Sequence, residues 1–181
     1  MNKSVKAAIL FLHITVLMLI MLAACTQAEA TLNQAQREMP FEVLKADPIP
    51  DDWALSETHY EDDLLVMIYE SDEYDGQVEL VQDRNIQGLN MQVLRDHMIS
   101  RTPAVESEET DYQIMELDEY IGKMSLVVGE QSSIQFTFVN KEDLITSTSV
   151  DIPIYQIVGK DVESITVLAF AAALKPANDS A

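Results

Sequence analysis

Ala7 to Ala24 is an apolar run broken only by His13 and Thr15, and it removes the first two dozen residues from whatever the rest of the chain can fold into. Lys3 and Lys6 precede the run, and Ala23 and Ala24 close it before Cys25. A charged start, an apolar middle and a small-residue end are the three parts of a secretory signal. The run is also near the lower length limit of a spanning helix, which makes an uncleaved anchor the competing reading. Against that, no Lys or Arg follows until Arg37, and the basic residues lie on the N-terminal side.

The stretch Leu22-Ala23-Ala24-Cys25 resembles the lipobox of bacterial lipoproteins. In that family signal peptidase II cuts before the cysteine, which becomes the lipidated first residue of the mature protein. The resemblance implies that residues 1–24 are a signal peptide. It also implies that Cys25 is lipidated and that the protein is anchored on the extracytoplasmic side of a membrane of the cell envelope. Two or three acyl chains hold a protein where one does so only marginally. Cys25 is the only cysteine, so acylation leaves no thiol for a disulfide, a metal or a nucleophile. Stability then rests on packing, and the 157 residues from Cys25 onward suit one domain.

All 31 acidic residues follow Cys25, against nine basic ones, for a net charge of about −22 on the mature chain. That field repels phosphate backbones, which excludes a nucleic-acid reader, and it repels anionic headgroups too. Either a solvated, soluble surface or a cationic partner accounts for it.

Residues 25–40 are polar and rich in Ala and Gln, and they read as a flexible tether after the lipidated cysteine. A single α+β domain is expected over residues 41–175, with 176–181 a disordered tail. Phe41 to Leu44 is a candidate strand, Pro48 to Asp52 a turn, and Leu64 to Tyr69 an apolar strand. In Gln77 to Gln82, Val78, Leu80 and Gln82 alternate with Glu79 and Val81. Leu89 to Ser100 changes to helical period, with Asn90 as N-cap. A meander follows: Tyr112 to Leu117, Tyr120 to Val128, Ser133 to Val139 and Leu144 to Val150, the last two joined by a hairpin at Asn140 to Asp143. Within it Ile134, Phe136 and Phe138 point one way and Gln135, Thr137 and Val139 the other. A closing helix is expected from Asp161, its N-cap, to Lys175, with Val162, Ile165, Ala169 and Ala172 on one face and Val167, Leu168, Phe170 and Leu174 leaving little polar surface elsewhere, so that it lies deep against the sheet. The fold class is therefore a twisted antiparallel sheet with a short middle helix and a C-terminal helix packed on one face.

Pro40-Phe41, Ile49-Pro50-Asp51-Asp52-Trp53 and Ser164 to Leu174 resemble a domain of unknown function found in lipoproteins and sigma-factor-linked proteins of Gram-positive bacteria. That family brings no catalytic residues with it. A more distant likeness of layout is to the lipoprotein-carrier fold, which would imply an apolar cavity.

Neither Gly-x-Ser-x-Gly nor His-Glu-x-x-His occurs, and the five scattered glycines build no phosphate loop. His59 beside Glu61-Asp62-Asp63 reads as a solvated turn, and His97 as an exposed helix residue. Ser71 to Gly76 lacks the Asp and Glu that a calcium loop requires at its ends. No catalytic residue, cofactor or metal site is expected. Met67, Met91, Met98, Met115 and Met124 sit at apolar positions, suited to core filling or to adaptable binding. The expected function is a non-enzymatic, lipid-anchored binding domain at the envelope, held by Cys25, with a protein or apolar ligand as partner. A carrier or chaperone for an apolar molecule is the alternative.

Overall fold

The computed structural model describes residues 28–73, 75–83, 85–100, 112–129, 132–147 and 152–179. A helix over 28–38 (α1) leads to a short strand, β1 (Leu44–Ala46). Then β2 (Trp53–Glu61), β3 (Leu64–Ser71) and β4 (Gln77–Asp83) form a meander. After α2 (Met91–Ser100) the chain resumes at the far edge of the sheet. There β5 (Tyr112–Glu116), β6 (Tyr120–Val127), β7 (Ser133–Asn140), α3 (Lys141–Thr146) and β8 (Tyr155–Lys160) work back toward its centre. Last come α4 (Ser164–Ala172), β9 (Leu174–Pro176) and a 3-10 turn at Ala177–Asp179. The seven-stranded sheet has the order β2-β3-β4-β8-β7-β6-β5 with every pair antiparallel, while β1 and β9 form a separate ribbon. This is the α+β architecture expected.

Strand alternation decides which face is buried. Leu65, Met67 and Tyr69 stand opposite Gln82, Leu80 and Val78, which in turn face Tyr155, Ile157 and Gly159. Phe136 and Phe138 continue the same face, and α1, α4 and the ribbon cover it. Phe170 of α4 packs edge-on against Trp53, 5.2 Å between centroids, and against Tyr69 at 5.0 Å. On the reverse face Ile121 and Val139, direct neighbours across β6 and β7, lie under Leu94 of α2 and Leu144 of α3. Arg95 ties these helices together, donating to the Leu144 and Ser147 carbonyls at 2.9 and 3.1 Å. Gly122 is required where β6 crosses the core: a Cβ there would lie 2.2 Å from the Thr137 carbonyl oxygen.

Among the described residues Gln82 is the one polar side chain in the interior with no exposed surface. Its amide accepts from the Leu44 N–H and donates to the Leu44 carbonyl, both at 2.8 Å. The side chain thus imitates a neighbouring strand and fastens the ribbon to the sheet. The acidic Asp62-Asp63 pair also has a structural use. With φ of 50° and 65° they are the central residues of the β2–β3 hairpin, where Glu61 faces Leu64. Two positive φ values are what a type I′ turn needs, and Asp tolerates them.

Several expectations are corrected. Residues 28–38 of the expected tether are helical, and Ala35 and Met39 are buried in the main core with Leu32 packed against it. The stripe runs through Ala28, Thr31, Leu32, Ala35, Gln36 and Met39, at helical spacing. Its small and polar members carry too little hydrophobic contrast to register in the sequence. The expected hairpin at Asn140 to Asp143 is instead the start of α3, because the Asn140 carboxamide accepts from the Glu142 N–H at 2.7 Å and caps a helix. Thr146 lies in that helix; 148–150 fall outside the described residues. The strand beside β7 is β8, at Tyr155–Lys160. Asn90 does cap α2, accepting from the Gln92 and Val93 N–H groups. Asp161 does not cap α4; it sits at φ 53° in the preceding turn, and Glu163 holds the N-cap position without a side-chain bond. The helix stops at Ala172, and the chain then pairs as β9 and buries Ala177, so residues 176–179 are part of the fold.

Candidate functional site

The closing helix, expected to lie deep against the sheet, is buried along one side only. Val167, Phe170 and Ala171 are buried, whereas Ile165 is 65 % exposed and Ala169 and Ala172 face solvent. The helix is apolar on nearly every side, so its period cannot choose a face; the aromatic contacts of Phe170 choose it. An apolar stripe is left uncovered.

A second apolar feature lies at the end of β6. The β5 pairing begins at Tyr112 opposite Ser125, so β6 runs on beyond the described part of its neighbour. Leu126, Val127 and Val128 there are 59, 40 and 78 % exposed. Alternation puts Leu126 on the α4 side of the sheet and Val127 on the other, so the strand end is apolar on both faces. Ile99, Ile145 and Leu64 are also exposed, but on separate elements.

Between β6 and α4 is a cleft of about 600 Å³, floored by Leu126, Ile134, Gly159 and Val162, with Asp161 and Glu163 at its rim. Gly159 sets its depth. A Cβ at that position would come 2.5 Å from Val162 and 2.6 Å from Val167, so only glycine lets the β8–α4 turn close onto the sheet. Asp161 also lines an adjoining cleft of about 440 Å³, formed with Glu70, Asp75, Gln77 and Lys160. Lys160 is engaged there by Glu79 and, at 3.2 Å, by Gln77. Its charge is matched, which leaves Glu70, Asp75 and Asp161 to set the sign of the cleft. The two clefts meet at Asp161 as an apolar half and an acidic half.

At the other end of α4 a cleft of about 560 Å³ has an apolar floor of Leu117, Ala171 and Leu174. Its charges are mixed, with Lys141 and Glu116 paired at 2.8 Å. Beneath α4, where a carrier would keep a cavity, Phe170 and Val167 pack into the core.

The groups weighed from sequence are dispersed. His59 lies 2.7 Å from the Glu57 carboxylate on exposed β2 rather than with the Asp62-Asp63 turn. His97 is half-buried, and its Nδ1 is without a hydrogen-bond partner among the described residues. The Ser71 hydroxyl accepts from the Glu73 N–H within the β3–β4 turn. Among the described residues no group of three or more His, Cys, Asp or Glu is placed to hold a metal ion. Met67 fills the core, Met115 and Met124 pack against it, and Met91 and Met98 pack under the second cluster. Burial raises the Tyr69 phenol to about 12 and pushes those of Tyr120 and Tyr155 higher still. Cys25 and the apolar run before it lie outside the described residues. None of the described helices is long and apolar enough to cross a membrane. The apolar ledge made by Leu126, Val127 and Val128 at the end of β6 and by Ile165 on α4 is not singled out by the sequence analysis. Its signal was the unbroken Leu126-Val127-Val128 triplet running into Gly129, beside a helix with no polar face.

No family model matches the chain, and neither a curated protein nor a solved structure is matched by it.

Proposed function

We propose that this chain is a lipid-anchored, extracytoplasmic, non-enzymatic binding domain of the cell envelope, held by acylated Cys25 and meeting its partner with the apolar ledge of β6 and α4. The observation that carries the binding surface is the exposure of four aliphatic side chains, Leu126, Val127 and Val128 at the end of β6 and Ile165 at the start of α4, with Leu126 lining the cleft between those two elements. Monomeric surfaces rarely keep such a patch uncovered without use. Full burial of an aliphatic side chain is worth about 1.5 to 3 kcal/mol, so covering even half of the four supplies binding energy. The anchoring rests on the Leu22 to Cys25 box, and kinship with the Gram-positive domain of unknown function rests on the sequence stretches that suggest it.

Because α1 belongs to the fold, the tether is short. Only Thr26 and Gln27 separate Cys25 from the described helix, and three Cα steps span at most about 11 Å. A domain so anchored works close to the bilayer and meets partners at the membrane surface. A carrier is the second reading, and the aromatic packing of Phe170 weighs against it, since cargo beneath α4 would have to displace that ring.

Two arms test the proposal in cells. Cys25→Ser should abolish acyl labelling and leave precursor at full length; unchanged labelling and mobility would end the anchoring claim. A photo-crosslinking residue at Val128 should give a discrete adduct that the same residue at Glu57, on the opposite edge strand, does not. Equal adducts at both positions, or none at Val128, would remove the ledge as the contact surface.

A further inference from the structure

Two adjoining clefts of opposite character constrain what the partner is made of. The cleft beside Leu126 takes apolar groups, and its neighbour across Asp161 presents Glu70 and Asp75 with its lysine already matched. We propose that the partner is a cationic amphipathic peptide segment, its apolar residues seated between β6 and α4 and its basic residues passing over Asp161 into the acidic cleft. The inference rests on the ledge being the binding surface and adds the chemistry of what binds.

Charge complementarity selects this occupant. A basic segment is drawn to a chain with 31 acidic and 11 basic residues well before contact. Locally Asp161 and Glu163 line the cleft with the neutral Ser132 and Thr166, so a cation next to an apolar side chain meets a carboxylate where it leaves the cleft past the β8–α4 turn. An anionic lipid surface would bring like charge to the same rim. An uncharged apolar peptide would fill the first cleft and leave the second unused. The site also has room: about 600 Å³ is within the usual range for ligand pockets. Asp161 joins the halves, and its left-handed backbone, φ 53°, is held by the turn that Gly159 permits.

The test uses full-length protein in phosphatidylcholine nanodiscs and a fluorescent hexapeptide of three leucines followed by three lysines, read by anisotropy against empty discs. Saturable binding is expected. It should weaken by about tenfold or more in Leu126→Ser/Ile165→Ser, and similarly in Asp75→Asn/Asp161→Asn. Asparagine keeps the positive φ at position 161 accessible, and all four side chains are exposed, so unchanged melting confirms the fold. Added salt should weaken the wild-type complex, a check that needs no variant. A peptide of three leucines and three glutamates should not bind.

Equal binding of the glutamate peptide, unaltered affinity in both double variants, or a signal accounted for by empty discs would each overturn the proposal. If the lysine peptide fails while the crosslinker at Val128 still captures a discrete partner, the binding surface stands and the cationic partner is wrong.

Discussion

Replacing Gln82 tests how the ribbon is fastened to the sheet. β1 pairs with β9 alone, so it has no ladder to the seven-stranded sheet. In its place the Gln82 amide holds both backbone groups of Leu44 at 2.8 Å, in a site without solvent. In Gln82→Leu those two groups lose their partner, at about 1 to 3 kcal/mol each, and the new aliphatic surface returns part of the loss. The expected net is about 2 to 4 kcal/mol, or about 4 to 16 °C in Tm for a domain of this size. Urea unfolding followed by the fluorescence of Trp53, the only tryptophan, measures it. Gln82→Glu adds a sign. A carboxyl there can donate to the Leu44 carbonyl only when protonated, and burial also favours its neutral form. Its folded pKa is therefore raised above the ordinary value of about 4.3. The bond is present below that value and is lost as pH rises through the folded pKa. Relative to wild type, Gln82→Glu should be least impaired near pH 4 and most impaired at pH 7. A Gln82→Leu variant as stable as wild type, or a Gln82→Glu deficit independent of pH, would show that the Gln82 amide does not hold the ribbon to the sheet.

Met39→Ala should destabilise by about 2 to 3 kcal/mol in the same urea assay, because Met39 is a buried core residue; a change near zero would restore a free tether before residue 40. Tyr69, with its phenol raised to about 12 by burial, together with Tyr120 and Tyr155, should stay protonated in the folded state. Their contribution is complete below the unfolded value near 10 and falls as pH rises from there toward 12. Ultraviolet phenolate absorbance should therefore rise for these rings only as the protein unfolds cooperatively, and early titration of all six tyrosines would contradict their burial. With a formal net charge of −20, stability should rise with salt, sodium and calcium acting alike at matched ionic strength. A saturable effect of calcium at sub-millimolar concentration, measured by Tm, would reveal a cation site instead.

The sheet was legible where burial is one-sided. Val78, Leu80 and Gln82 alternate cleanly against Glu79 and Val81, and Ile134, Phe136 and Phe138 against Gln135 and Thr137, the reverse face of β7 turning apolar only at Val139, where it reaches the α2 and α3 cluster. Legibility failed where side chains were too small or too uniform to mark a direction. The α1 stripe includes Ala28 and Ala35, whose burial leaves almost no trace in a polar context. α4 failed for the opposite reason: Val167, Leu168, Ala169 and Phe170 are all apolar, and only tertiary contact with Trp53 and Tyr69 turns the helix. At Asn140 the same residue suits a turn or a helix cap, and Leu144 decided the matter by finding the Ile121–Val139 cluster. Strand order was out of reach, since the placement of β8 between β4 and β7 depends on pairings about 75 residues apart. The ledge escaped for a related reason, because its two parts, β6 and the start of α4, become neighbours only once β7 and β8 lie between them.

The most direct measurement of the central claim is hydrogen exchange by mass spectrometry on the full-length protein, compared between the membranes of its host and purified nanodiscs. The native membrane should add protection over residues 125–134 and 159–166, where β6 and α4 carry the exposed aliphatic side chains. Protection confined instead to the β2 edge or to the α2 and α3 face, or identical exchange in both settings, would contradict it.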